Sequence, residues 1–379
     1  MIRDQQVLDG LVDLVRRFVR ERLVPAESEV EASNAIPPAI IQDMRELGLF
    51  GLSIPEEYGG LGLTMEEEIA LAFELGYASP AFRSVIGTNN GIGSQGIIVD
   101  GTEAQKAYWL PRFASGQAIG SFALTEPDVG SDAGSVKTTA VRDGDHYILN
   151  GTKRYITNAP LADVFTLMAR TGGPGPGGVT AFLVRSDSPG LSLGAPDGKM
   201  GQRGTRTCDV ILDDCRVPAD AVIGGVEGQG FKTAMKVLNR GRIHIAGVCV
   251  GAAERLCDEA TAFAKARVQF GKPIAEHQLV QAMLADSLTE TYAARCMVAE
   301  TAKRFDRGDR IIKEAAATKL FCSEMVGRVA DRAVQVHGGA GYMHASAVEH
   351  FYRDVRLFRL YEGTSQIQQI IIAREMCNT

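Results

Sequence analysis

Histidine is scarce in this chain, with six among 379 residues. His337 and His344 stand seven apart, and no ligand spacing of a metal site is met, so no bound metal is expected. The seven cysteines are odd in number and form no C-x-x-C pair. That excludes a disulfide frame and a zinc site and leaves reduced thiols. Basic residues are outnumbered, 40 Lys and Arg against 46 Asp and Glu, for a net charge of −6. Without a basic arm or long basic run, nucleic acid is not an expected partner. No apolar run is long enough to cross a bilayer, so no membrane is expected either. The N-terminal stretch MIRDQQVLDGLVDLVRRFVRERL has no apolar core or cleavage signal of the secretory kind, and cytoplasm is the expected location. Its apolar residues at 8, 11, 12, 15, 18 and 19 instead recur with a helical period.

What remains is an ordinary globular composition, 45% hydrophobic and 23% charged, on a chain long enough for two or three domains. Three zones follow one another. Residues 1–120 have helical periodicity, broken by SIPEEYGGLGLT and GTNNGIG. Residues 121–227 turn β-rich: VRDGDHYILNGTKRYITNA holds two strand runs with Gly-Asp and Asn-Gly turn signals, and VFTLMAR, TAFLVRS and CDVILDDCRVP add further strands. Residues 228–379 return to long Ala-rich amphipathic stretches. This α, then antiparallel β, then α order is not the alternating pattern of a nucleotide-binding sheet. GIGSQG at 91–96 does match G-x-G-x-x-G, but no buried strand precedes it, and it reads as a break between helices.

Three stretches hold chemistry. FALTEPDVGSD, 122–132, is a Pro- and Gly-interrupted loop that is either a plain linker or a set of hydroxyls and amides aimed at a polar ring. In RYITNA, 154–159, Tyr155 and Thr157 fall on one face of a strand, as core packing or as a platform for a flat heterocycle. RLYEGTSQIQQ, 359–369, carries the single acid Glu362 before a helix start, where Ser365 and Gln368 have the S-x-x-Q spacing of a capping box. That acid is a solvated charge, a helix-dipole partner or a catalytic base.

Taken with ARVQFGKPIAEHQ (266–278) and QVHGGAGYM (335–343), these motifs resemble the FAD-dependent acyl-CoA dehydrogenase family over essentially the whole chain. Tyr155 stands where the family normally has tryptophan. The resemblance implies a helical N-terminal domain, a middle antiparallel β domain and a C-terminal four-helix domain. It places Phe122, Leu124, Thr125, Ser131, Tyr155 and Thr157 around the isoalloxazine of FAD. Arg267, Gln269, Phe270, Gln335, Gly338 and Gly339 hold the rest of the cofactor, partly across a subunit boundary, and Thr364 and Gln366 also touch it. Glu362 becomes the base that takes the α-proton of an acyl-CoA while the flavin takes the β-hydride, giving the trans-2-enoyl-CoA. Its own backbone N–H is one donor to the thioester carbonyl. Ser131, Asn239, Arg242 and Gly363 are implied substrate contacts, Asn239 standing where aspartate is common.

Gly241 occupies the position at which one branch of the family carries its catalytic glutamate, which leaves Glu362 as the motif-matched base. The resemblance further implies a homotetramer, a dimer of dimers, that passes electrons to an electron-transfer flavoprotein. Relatives that are desulfinases, oxidases or monooxygenases, and a non-enzymatic scaffold, are the competing readings. Around Arg83, SPAFRSVIGTNNG is similar to glutaryl-CoA dehydrogenases, in which an arginine binds a distal substrate carboxylate. Gly87 departs from their serine. Arg83 is thus a substrate reader or a member of a structural ion pair.

Overall fold

The computed structural model describes residues 1–377. The first helices are α1 (Gln5–Phe18), continued through a π-helical turn into α2 (Val24–Ser33), and α3 (Pro38–Glu46). They are followed by α4 (Met65–Leu75), α5 (Pro80–Asn90), α6 (Gln95–Asp100) and α7 (Glu103–Ala114). Thr64 and Thr102 begin α4 and α7 with full capping boxes, each hydroxyl accepting from the third helical N–H while Glu67 or Gln105 reaches back. The GIGSQG segment is the turn from α5 into α6, with a helix rather than a strand before it.

The middle of the chain forms one sheet: β1 (Gly120–Ala123), β2 (Thr139–Asp143), β3 (His146–Thr157), β4 (Val164–Arg170), β5 (Val179–Arg185), β6 (Leu191–Leu193) and β7 (Thr207–Pro218). The order is β1-β4-β2-β3-β7-β6, with β5 paired to β4. Four pairings are antiparallel, but β1 runs parallel to β4 and β2 touches β4 in parallel. The sheet is therefore mixed rather than wholly antiparallel. Asp163 is the cause at one edge: its carboxylate accepts from Ile119 N–H at 2.8 Å and its own N–H donates to Ile119 carbonyl, so both strands start together.

The C-terminal helices are α8 (Gly230–Ala266), α9 (Gln278–Asp306), α10 (Ile312–His337), α11 (Ala347–Val355) and α12 (Ser365–Cys377). Between α8 and α9 lies a two-stranded ribbon, β8 (Val268–Gln269) with β9 (Lys272–Pro273). The alanine-rich faces of α8, α9 and α10 make the largest core cluster, into which Ile69, Ala72 and Phe73 of α4 insert. Small residues make that crossing tight. A Cβ on Gly251 would lie 2.1 Å from the Phe73 carbonyl oxygen, so only glycine permits α4 and α8 to approach this closely. The crossing puts Glu68 of α4 beside Arg240 and His244 of α8.

Candidate active site

Glu362 lies in the loop between the 3-10 turn Arg356–Arg359 and α12. Its φ is +57°, and that of Gly363 is +88°. A left-handed glutamate is uncommon, and such strain persists only where neighbours fix it. Gln368 Nε2 donates to the carbonyls of Glu362 (3.0 Å) and Gly363 (2.9 Å), and Lys319 Nζ donates to Gly363 O at 2.7 Å. The capping box expected from Ser365 and Gln368 does not form. Thr364 is the cap, accepting from Ile367 N–H at 3.3 Å, while Ser365 Oγ donates to Glu324 at 2.5 Å. Gln368 is drawn away because two turned carbonyls lie within its reach.

The Glu362 carboxylate opens on a narrow cavity shared with Tyr361, Arg83, Gly241, His244 and Thr157. The residue is half-buried, yet Oε2 is fully shielded and has no hydrogen-bond partner. Burial raises its carboxyl above the ordinary carboxylate range, against the pull of Arg83, Arg242 and Lys319. A Cβ on Gly241 would stand 2.8 Å from Oε2, so the glycine on α8 is what leaves room for this acid.

Arg242 is buried; its Nη1 donates to Asn239 Oδ1 at 2.6 Å, and its Nε has no acceptor. Asn239 is thus tied to its own helix neighbour. Arg83 Nε donates to His244 Nε2 at 3.0 Å, and His244 Nδ1 meets Glu68 Oε1 at 2.7 Å. Because Nε2 accepts, the proton sits on Nδ1 and the ring is neutral. Burial, seconded by Arg83, pushes His244 down. Burial alone would raise Glu68, but Arg240, His244 and Arg83 outweigh it and hold the carboxyl at about 2. No hydrogen bond among the described residues occupies the terminal nitrogens of Arg83. The guanidinium lies over Gly87, where a Cβ would be 2.7 Å from Nη1, so glycine in place of serine gives it room.

The loop predicted to face a ring is built around Glu126. Its carboxylate accepts from the N–H groups of Lys137 and Thr138 and from buried Lys153 at 2.7 Å. This pins residues 122–132 against β3, leaving Phe122, Leu124 and Thr125 half-buried and Ser131 exposed. Tyr155 does not sit in a regular strand. The register with β7 shifts between Lys153 and Ile156, and Tyr155 has φ +57°, so a bulge turns its ring outward to 59% exposure. Arg267, Gln269, Phe270, Gln335, Gly338 and Gly339 make up a second set, all exposed, at the C-terminal ends of α8 and α10 and just beyond them. No hydrogen bond among the described residues links it to the first. Thr364 is spent on its cap, and Gln366 is exposed.

Of the expected residues, the cavity brings Arg83, Thr157 and Glu362 together. Sequence reasoning missed Lys319, His244 and Glu68. Lys319 had left a trace: it shares the helical stripe of Ala315, Cys322 and Val326, all buried.

A helical domain, a middle β domain and a C-terminal helical domain, with an acid-bearing cavity between them, make up the acyl-CoA dehydrogenase architecture. The N-terminal, middle and C-terminal domains of acyl-CoA dehydrogenases match residues 7–117, 121–215 and 228–377. An acyl-CoA dehydrogenase of Bacillus subtilis is 40% identical over 95% of both chains. The chain belongs to the acyl-CoA dehydrogenase family, oxidoreductases acting on CH–CH groups. The caffeyl-CoA reductase-Etf complex subunit CarC of Acetobacterium woodii is 39% identical over 95% of both chains. The glutaryl-CoA dehydrogenase structure from Mycobacterium smegmatis superposes with a TM-score of 0.93 at 31% identity, over 100% of this chain and 96% of that one. No described helix is long and apolar enough to cross a membrane.

Proposed function

We propose that this enzyme removes the α- and β-hydrogens of an acyl-CoA thioester, with Glu362 as the base. The observation that supports this most is the shielded, unpartnered Oε2 over Gly241. A carboxylate with one oxygen denied hydrogen-bond donors and water is less well stabilised as an anion and correspondingly more basic. Glu362 takes the proton from Cα, and its backbone N–H donates to the thioester carbonyl as enolate charge develops. The β-hydrogen leaves as hydride from the opposite face, and the Cα–Cβ double bond of the trans-2-enoyl-CoA forms.

The cofactor in this reading is FAD, which supplies the hydride acceptor when bound. The residues fit it. Half-buried Phe122 and Leu124, with the hydroxyls of Thr125 and Thr157 and with Ser131 and Tyr155, would line the ring, assisted by Thr364 and Gln366. A Cβ at Gly338 or Gly339 would meet nothing within 4 Å, so a pyrophosphate can come close to this backbone, although the Gly338 N–H is itself donated to Gln335 O. Arg267 is exposed and forms no ion pair among the described residues, as suits a phosphate ligand, and Gln269, Phe270 and Gln335 are exposed as well. The family resemblance assigns this group to a flavin shared with a neighbouring subunit. Phe270, Leu279, Leu288, Tyr292 and Tyr342 are 94, 83, 65, 69 and 78% exposed, an apolar surface that supports a dimer of dimers. The Etf-complex relative supports an electron-transfer flavoprotein as redox partner.

Substrate contacts are assigned to Ser131, Asn239, Arg242 and Gly363. Arg83 is assigned the far end of the acyl group, which is then short and anionic or polar; its free terminal nitrogens match a carboxylate bidentately. The test is a panel of acyl-CoA thioesters, dicarboxylic ones included, scored by anaerobic bleaching of the flavin. Bleaching by a short thioester with an acidic or polar end is expected. A flavin-loaded protein that no thioester bleaches would overturn the assignment.

A further inference from the structure

We propose that Lys319 is the positioning residue of the base loop: its buried ammonium group grips the carbonyl next to Glu362, fixing where the carboxylate stands and favouring its ionised form. This rests on Glu362 being the base.

Lys319 lies in the middle of α10 with none of its side chain exposed. Lysine is almost never fully buried unless paired, and no carboxylate among the described residues pairs with this one. Its hydrogen bond goes to Gly363 O at 2.7 Å. A buried ammonium is costly, and a well-packed apolar side chain of similar length would serve stability as well or better. The lysine is therefore not there to hold α10 in the fold. What it touches is the left-handed pair Glu362–Gly363. Gly363 adopts its positive φ freely, but a left-handed glutamate is strained and needs to be over-determined. Gln368 and Lys319 do so together, and Lys319 alone brings a charge.

The groups facing that charge are Cys249 and Arg242 from α8, Glu362 from the loop, and Glu324 on α10 itself. Burial pushes the Cys249 thiol far up, so it is neutral. Glu324 is engaged by Ser365 and by Arg359 at 3.2 Å. Glu362 remains as the acid that the ammonium stabilises. Burial brings Lys319 itself down to about 8, which marks a cation held with little compensation.

The experiment measures anaerobic flavin reduction by a saturating acyl-CoA against pH in wild type, Lys319→Met, Lys319→Gln and Glu362→Gln. Both Lys319 variants are expected to keep flavin and a wild-type-like melting temperature. Their reduction rate should fall roughly ten- to a hundredfold, the scale of a misplaced reacting group. The acid limb of the profile should move to higher pH, because Glu362 has lost a neighbouring cation. A wild-type rate with an unmoved acid limb in both variants overturns the proposal. So does unfolding of both, which would make Lys319 structural. Glu362→Gln separates the two claims: if that variant stays active, the base assignment itself has failed.

Discussion

Gly241→Ala adds one methyl group to the interior of α8. It would stand 2.8 Å from Glu362 Oε2, 3.1 Å from Cδ and 3.2 Å from Oε1. Ordinary contact begins at 3.4 Å, so the carboxylate has to retreat by about 0.6 Å or more. The obstructed atoms are the free end of a side chain, so the acid swings away and the backbone stays. Alanine in a helix interior is favoured over glycine by about 1 kcal/mol. The variant should therefore melt at or slightly above the wild-type temperature. Its chemistry should suffer, because a displacement near 1 Å at a reacting group can cost about a hundredfold. Stopped-flow flavin reduction is the assay, with a loss of about tenfold or more expected and little change in KM. An unimpaired rate would show that the position of Glu362 over α8 is irrelevant to turnover.

Glu362→Gln should raise stability at neutral pH. The folded-state carboxyl is raised above its unfolded value, so the folded chain holds the proton more tightly and stability declines as pH rises through that window. Removing the acid removes the penalty, about 1.4 kcal/mol for each tenfold difference in proton affinity between folded and unfolded chains. Melting curves of the two proteins should converge below the unfolded carboxyl range. The same raised carboxyl gives wild-type reduction an acid limb above the ordinary glutamate range. Arg83→Met should impair glutaryl-CoA far more than butyryl-CoA; equal effects on both would remove Arg83 from substrate reading. Arg267→Gln should weaken FAD retention on dilution while leaving the circular dichroism of the fold unchanged, and unaltered retention would contradict its phosphate role.

Much of the architecture was legible because period and turn chemistry agreed along the chain. The α, β, α zones read over 1–120, 121–227 and 228–379 match the helices, sheet and helices found, and the structure adds capping boxes of the same spacing at Thr64–Glu67 and Thr102–Gln105. The same spacing misled at Ser365–Gln368. There the left-handed backbone of Glu362 and Gly363 presents two carbonyls that claim the glutamine, and local spacing carries no information about those dihedrals. Tyr155 was visible as an aromatic beside Thr157, but its outward turn depends on a bulge against β7, a long-range pairing. The parallel entry of β1 beside β4 likewise rests on Asp163, which is 44 residues from Ile119. Arg83 was singled out with its partner unknown. His244 lies 161 residues away, and only the α4–α8 crossing brings it and Glu68 into reach. Lys319 went unnoticed because a lysine in an Ala-rich helix is ordinarily a solvated one.

The central claim is that Glu362 is the base. The direct measurement is anaerobic mixing of flavin-loaded Glu362→Gln with the thioester that bleaches wild type most rapidly. The variant is expected to bind that thioester with near wild-type affinity and to leave the flavin oxidised over many wild-type half-times. Reduction at a rate close to wild type would assign the proton transfer to another group.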